Sequence, residues 1–170
     1  MKKNLLLTAA VTLLFFTVYD AATGQTFEVN RYDEATGNRI LVTNNEKIDH
    51  EGFTGSAFVS AMFGRDKTEG NEHTEHYTLV IEIFSEDGFE IFNADSVNFT
   101  IDDEMVRYKL FVIATERREQ SNFESCFVQL TKADFERFGK ARDLRFRILN
   151  NDFTITQNAK DALLLVLREI

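Results

Sequence analysis

Proline and tryptophan are absent from all 170 residues, and cysteine occurs once. Without proline there is no Pro-rich linker and no cis-proline turn. With Cys126 alone there is no internal disulfide, so the fold must be held by burial. Positive charge is also scarce: 19 Lys and Arg stand against 28 Asp and Glu, a net charge of −9. An acidic chain is a poor ligand for nucleic-acid backbones or anionic membranes, which attract cations. No apolar run reaches the ~20 residues that a membrane-spanning helix needs.

The longest apolar run, Leu5 to Val18, covers 14 residues. Lys2 and Lys3 precede it, and Ala22-Thr23-Gly24 follows. A basic start, a short hydrophobic stretch and small residues at a cleavage point make a secretory signal peptide. Cleavage is expected after Gly24, and with no cysteine near that point a lipid anchor is not. The Met-Lys-Lys-Asn opening is of bacterial type. The expected address is therefore outside the cytoplasm, in the periplasm or beyond the cell, with no membrane span after cleavage. Residues 25–170 are read as a single β-rich globular domain of 146 residues with net charge −10, after loss of two lysines and one aspartate. That length suffices for a core without staples.

Phenylalanine is abundant, at 17 residues, and should dominate the core. Most of the chain alternates like strands. Phe27–Tyr32 and Ile40–Thr43 suggest a hairpin across Thr36-Gly37-Asn38. Phe53–Phe63 is a strand rich in small residues. Arg65–Glu75 is polar and reads as a long mobile loop. Tyr77–Phe84 is apolar on both faces, which suggests a central position. Glu86-Asp87-Gly88 turns into Phe89–Phe92. Val97–Ile101 and Arg107–Ala114 pair across Asp102-Asp103-Glu104. Cys126, Val128 and Leu130 share one strand face, so a buried thiol is expected.

The last third changes character. Thr131 and Asp134 form a variant capping box, and Leu130 and Phe135 a hydrophobic staple, for a helix near 132–139 that Gly139 would end in a left-handed conformation. Leu144, Phe146 and Ile148 alternate with Arg145 and Arg147, and Phe153–Ile155 follows a turn at Asn150–Asp152. A C-terminal helix near 157–169 carries an apolar stripe through Ala159, Ala162, Leu163, Val166, Leu167 and Ile170. The fold class is α+β: mainly antiparallel β, a sandwich or half-barrel, with these two helices.

Catalytic signatures are missing. There is no Gly-x-Ser-x-Gly elbow, no P-loop and no Gly-x-Gly-x-x-Gly, and no cofactor is implied. Glu72, His73 and His76 are the nearest approach to a metal site, because imidazole and carboxylate suit Zn and similar ions. A third fixed ligand is not evident, and His50 is a distant option. The acidic turns at 86–87 and 102–104 do not fit the twelve-residue calcium loop. Arg145 and Arg147 share a strand face and could meet a carboxylate or phosphate. The expected function is a secreted or periplasmic non-enzymatic binding domain for an envelope protein or a small ligand. The alternatives are a metal-dependent envelope hydrolase using His73 and His76, or a structural subunit associating through the C-terminal helix.

Overall fold

The computed structural model describes residues 27–67, 72–88, 91, 93–118 and 121–170. The export segment read at residues 1–24 lies outside them. The described chain runs β1 (Phe27–Asp33), β2 (Asn38–Thr43), β3 (Glu46–Glu51), β4 (Gly55–Lys67), β5 (His73–Ser85), β6 (Ser96–Ile101), β7 (Glu104–Arg117), β8 (Asn122–Leu130), α1 (Lys132–Lys140), β9 (Leu144–Ile148), β10 (Asn151–Thr154) and α2 (Gln157–Glu169). It is the expected α+β fold, mostly antiparallel strands curled into a half-barrel. The order is β1-β2-β4-β3-β10-β9-β6-β7-β8-β5, and β4 also pairs with β5, which brings the two ends of the curl together. No described helix is long and apolar enough to cross a membrane.

The long strands β4, β5, β7 and β8 build one wall; the short β3, β10, β9 and β6 build the other. β7 serves both, pairing with β6 up to Lys109 and with β8 from Leu110. β2 and β3 lie in series along one edge of β4, with Met62 opposite Val42 and Val59 opposite Glu46. One extra residue is accommodated between these pairs, so the chain kinks there. Beyond the kink, β2 carries β1 outward while β3 joins β10.

Inside, the alternation of each strand delivers the core. Phe63, Phe99, Phe135, Phe138, Phe146 and Phe153 are fully buried, each contributing ~1.5–3 kcal/mol of transfer free energy. Their rings touch in series: Phe99 to Phe138 at 4.7 Å, Phe99 to Phe146 at 5.2 Å, and Phe146 to Phe153 at 4.6 Å. The helices join this same core through Phe135, Phe138, Ala159, Leu163 and Val166. The C-terminal stripe is therefore covered by its own domain. At the other end, Ile91 is buried and its N–H donates to Glu124 Oε1 at 2.9 Å, so the β5–β6 connection is tied to the barrel interior.

The capping box at Thr131 and Asp134 is present, and Leu130 and Phe135 are both buried as the staple requires. Gly139 differs from expectation. It lies within α1, and the cap is Ala141 in an extended conformation. The reason is packing between the helices: a Cβ on Gly139 would sit 2.7 Å from Leu164 Cδ2. The α1 carbonyl end is met instead by Lys160, whose Nζ donates to the oxygens of Ala141 and Arg142 at 3.1 and 3.2 Å. A cation at a helix C-terminus is favourable because that end carries partial negative charge.

Two other segments depart from the sequence reading. Much of the Arg65–Glu75 loop is strand: Arg65 lies opposite Glu75 and Lys67 opposite His73. An ion pair of 2.9 Å between Arg65 and Glu75 holds that end of the hairpin. The turn after β9 falls at Leu149 and Asn150, because Ile148 pairs directly with Asn151. Phe89–Phe92 lies mostly outside the described residues.

Cys126 is fully buried among the core side chains, and burial pushes its thiol far above the ordinary cysteine range. The thiolate is the reactive species. The folded protein should therefore resist iodoacetamide at pH 8 for hours while the urea-unfolded chain reacts within minutes, as read by intact mass.

Candidate interaction face

The long wall is apolar on both sides. Inward go Ala57, Val59, Ala61 and Phe63 of β4, Leu79, Ile81 and Ile83 of β5, and Cys126 and Val128 of β8, all members of the core. Strand alternation sends the intervening residues to the convex side. These are Phe58, Ser60 and Met62 of β4, Val80, Glu82 and Phe84 of β5, and Phe123, Ser125 and Phe127 of β8. The register sets Ser60 opposite Val80, Val80 opposite Phe127, and Phe84 opposite Phe123.

Aromatic contacts tile this side. Phe58 meets Phe84 edge-on at 5.9 Å, Phe84 meets Phe123 at 5.0 Å, and Phe127 stacks on Phe111 of β7 at 4.9 Å. Cations lie on three of the rings: Arg118 is 4.6 Å from the Phe123 centroid and 5.7 Å from that of Phe84, and Lys109 is 4.8 Å from that of Phe111. Val42 and Met62, with Val29 and Ile40 beside them, form an apolar cluster separate from the core. Surface sheets ordinarily present a polar outer face. Here the centre of that face is withdrawn from solvent: Ser60 and Met62 are 6 % exposed, Val80 8 %, Phe123 5 % and Ser125 0 %, while Phe58, Phe84 and Phe127 are partly buried.

Polar groups are set into this face. Glu82 is only 8 % exposed. Its Oε2 accepts from Asn45 Nδ2 at 2.8 Å. Burial raises its pKa, the Asn45 hydrogen bond opposes the rise, and smaller effects of the Glu28 charge (upward) and Arg118 (downward) follow. Glu28, on the edge strand β1, is raised as well by partial burial. Ser125 lies directly opposite Glu82 in the β5–β8 register and is fully buried, and its Oγ has no hydrogen-bond partner among the described residues.

The Glu82 shift has a defined sign. A carboxyl whose folded pKa exceeds its unfolded value stabilises the fold when protonated, and that contribution is lost as pH rises through the folded pKa. Urea midpoints of Glu82→Gln and the native protein should therefore lie close together near pH 4 and diverge in favour of the variant towards pH 7. A constant difference across that range would show that the Glu82 carboxyl is not destabilised by burial.

The metal candidates do not converge. His73 and His76 are both in β5, three residues apart, so alternation points them to opposite sides of the strand. His76 Nε2 is 4.0 Å from Asp66 Oδ2, and its Nδ1 is 3.4 Å from Gln129 Nε2. His73 lies by the β1–β2 turn, close to Gly37. Glu72 just precedes β5 and is exposed. His50 is at the far end of β4, its Nε2 3.2 Å from the Gly55 oxygen and its ring stacked on Phe53 at 4.1 Å. Twelve residues of strand, ~40 Å, separate Gly55 from the Lys67–His73 pair. Among the described residues no three of His, Cys, Asp and Glu come together to hold a metal ion.

Arg145 and Arg147 share the outer face of the short wall, as expected, but each meets a carboxylate of its own chain. Arg147 makes a bidentate pair with Asp152 at 2.6 and 2.7 Å, and Arg145 lies 2.7 Å from Asp143. An open hollow of about 380 Å³ is lined by Asp95, Ser96, Arg107, Tyr108 and Lys109. It is a shallow surface hollow, open to solvent.

The chain matches no protein-family model, no curated protein and no solved structure.

Proposed function

We propose that the protein is an exported, non-enzymatic binding domain that docks a partner protein on the convex face of its long wall. The observation that carries this reading is the second apolar side of β4, β5 and β8, where Phe58, Phe84 and Phe127 are only partly buried and are turned away from a core that both helices already complete. Two further features support it. Aromatic rings from both walls and from α1 meet one another in the interior, which disfavours a carrier of small molecules there. The divergent placement of His73 and His76 disfavours the hydrolase reading. Export is inferred from residues 1–24 by their pattern of charge, apolarity and small residues.

The test is capture of the tagged protein from cross-linked envelope extract, beside a Phe127→Asp variant and an Arg145→Ser/Arg147→Ser variant. The reading expects one stoichiometric partner that the first variant loses and the second keeps. A partner retained by Phe127→Asp and lost with the arginines would move the site to the short wall.

A further inference from the structure

Beyond the core, the inner face of the long wall carries a row of polar side chains. Tyr32 of β1 lies opposite Arg39 of β2, Arg39 opposite Arg65 of β4, and Arg65 opposite Glu75 of β5. Leu41, Phe63 and Tyr77 of the core stand two residues from Arg39, Arg65 and Glu75, so alternation puts the row on their side. The contacts agree: the Arg65 guanidinium is 5.7 Å from the Phe63 ring, and the Tyr77 hydroxyl donates to Glu75 Oε2 at 2.8 Å. The row is open to solvent, with the Arg65 and Glu75 side chains 30 and 34 % exposed and Tyr32 61 %.

Like charges directly opposite one another destabilise a sheet. Here two guanidinium groups stand beside one carboxylate, and Glu75 Oε1 already accepts from Arg65 at 2.9 Å. Among the described residues no carboxylate pairs with Arg39. Independently, Arg39 Nε is buried without a hydrogen-bond partner, while its two Nη groups are not enclosed. A buried donor without an acceptor is uncommon in a folded protein. Guanidinium charge is delocalised, so an anion at the Nη groups offsets the desolvation of the whole head.

We propose that Arg39 binds a carboxylate from outside the chain, held end-on by Nη1 and Nη2. The fork of a guanidinium matches the two oxygens of a carboxylate. The row selects the anion by charge. Two arginines and one glutamate leave one positive charge, which a carboxylate neutralises, whereas a phosphate dianion would face Glu75 with charge to spare. The exposed Tyr32 ring beside Arg39 offers a surface to the stem of an apolar acid. The site lies on the opposite side of the wall from the docking face and does not depend on it.

Titration of the full chain with benzoate and with its neutral isostere benzamide, followed by NMR of the backbone amides, tests the site. Benzoate should shift the amides of Tyr32, Arg39 and Arg65 and bind at least tenfold tighter than benzamide. Arg39→Met, which keeps the stem and removes the charge, should abolish that preference. Arg39→Lys, which keeps the charge and loses the fork, should weaken benzoate at least threefold, so the test stands if Arg39→Met does not fold. Glu75→Gln, which frees Arg65, should tighten benzoate at least threefold. A tetrapeptide acid set against its amide separates the two sources of a carboxylate: preference for the peptide acid alone assigns the site to a chain end, and preference for benzoate to a small acid. Equal binding of acid and neutral form in both pairs, a preference that survives both Arg39 variants, or inorganic phosphate binding tighter than either acid overturns the carboxylate site.

Discussion

Replacing Phe138 by alanine should lower the unfolding free energy by about 3–5 kcal/mol, enough to unfold a domain of ordinary stability in mild denaturant. Phe138 is fully buried. Its ring lies 4.7 Å from Phe99 and 5.9 Å from Tyr108, so one side chain joins α1 to both β6 and β7. Its truncation leaves a void bounded by rings and by the α1–α2 contact at Gly139. The close α1–α2 approach, in which even a Cβ at Gly139 would meet Leu164, leaves α1 little room to move into it. Urea unfolding followed by circular dichroism measures the loss. A change under 1 kcal/mol would mean that the helices are not part of the cooperative core.

Phe127→Asp should act in the opposite way, leaving the fold and removing the binding. Phe127 is half-buried on the convex side, and its main contact is the 4.9 Å stack on Phe111. Losing that stack costs about 1 kcal/mol, well within the stability of a domain this size. A carboxylate placed among Val80, Phe111 and Ser125 would be desolvated by any apolar partner, and a buried unpaired charge costs several kcal/mol. Partner affinity should therefore fall at least 100-fold while the urea midpoint barely moves. The two variants separate the faces of one wall: Phe138 supports the side that holds the molecule together, Phe127 the side that meets another.

Much of this was legible in the chain. Strict alternation in Val97–Ile101, in Leu144–Ile148 and around Cys126 gave strands and an inward face, and the capping residues at Thr131 and Asp134 placed α1. β3 was not legible, because Glu46–Glu51 offers only Ile48 as an apolar residue and draws its place from β4 and β10. Gly139 misled, since a glycine near a helix end serves either a left-handed cap or a close approach, and sequence does not separate them. The Arg65–Glu75 segment is polar because the hairpin extends beyond the core, not because it lacks strand pairing. The convex face was half-visible. Tyr77–Phe84 is apolar on both sides, but β4 stands out in the sequence only for its small residues and β8 only for the one face of Cys126, Val128 and Leu130. Phe58, Phe123 and Phe127 turn outward only once register is known. The setting of Glu82 depends on Glu28 and Asn45, contributed by other strands, and no local pattern announces it.

The most direct test of the account is photo-cross-linking from one residue on each wall. A benzophenone side chain at Phe127 and, separately, at Arg145 is irradiated in intact cells of the source. Adducts to a single partner from position 127 and none from position 145 are the predicted result. Adducts from 145 alone, or none from 127 while the protein is folded and exported, would contradict docking on the convex face.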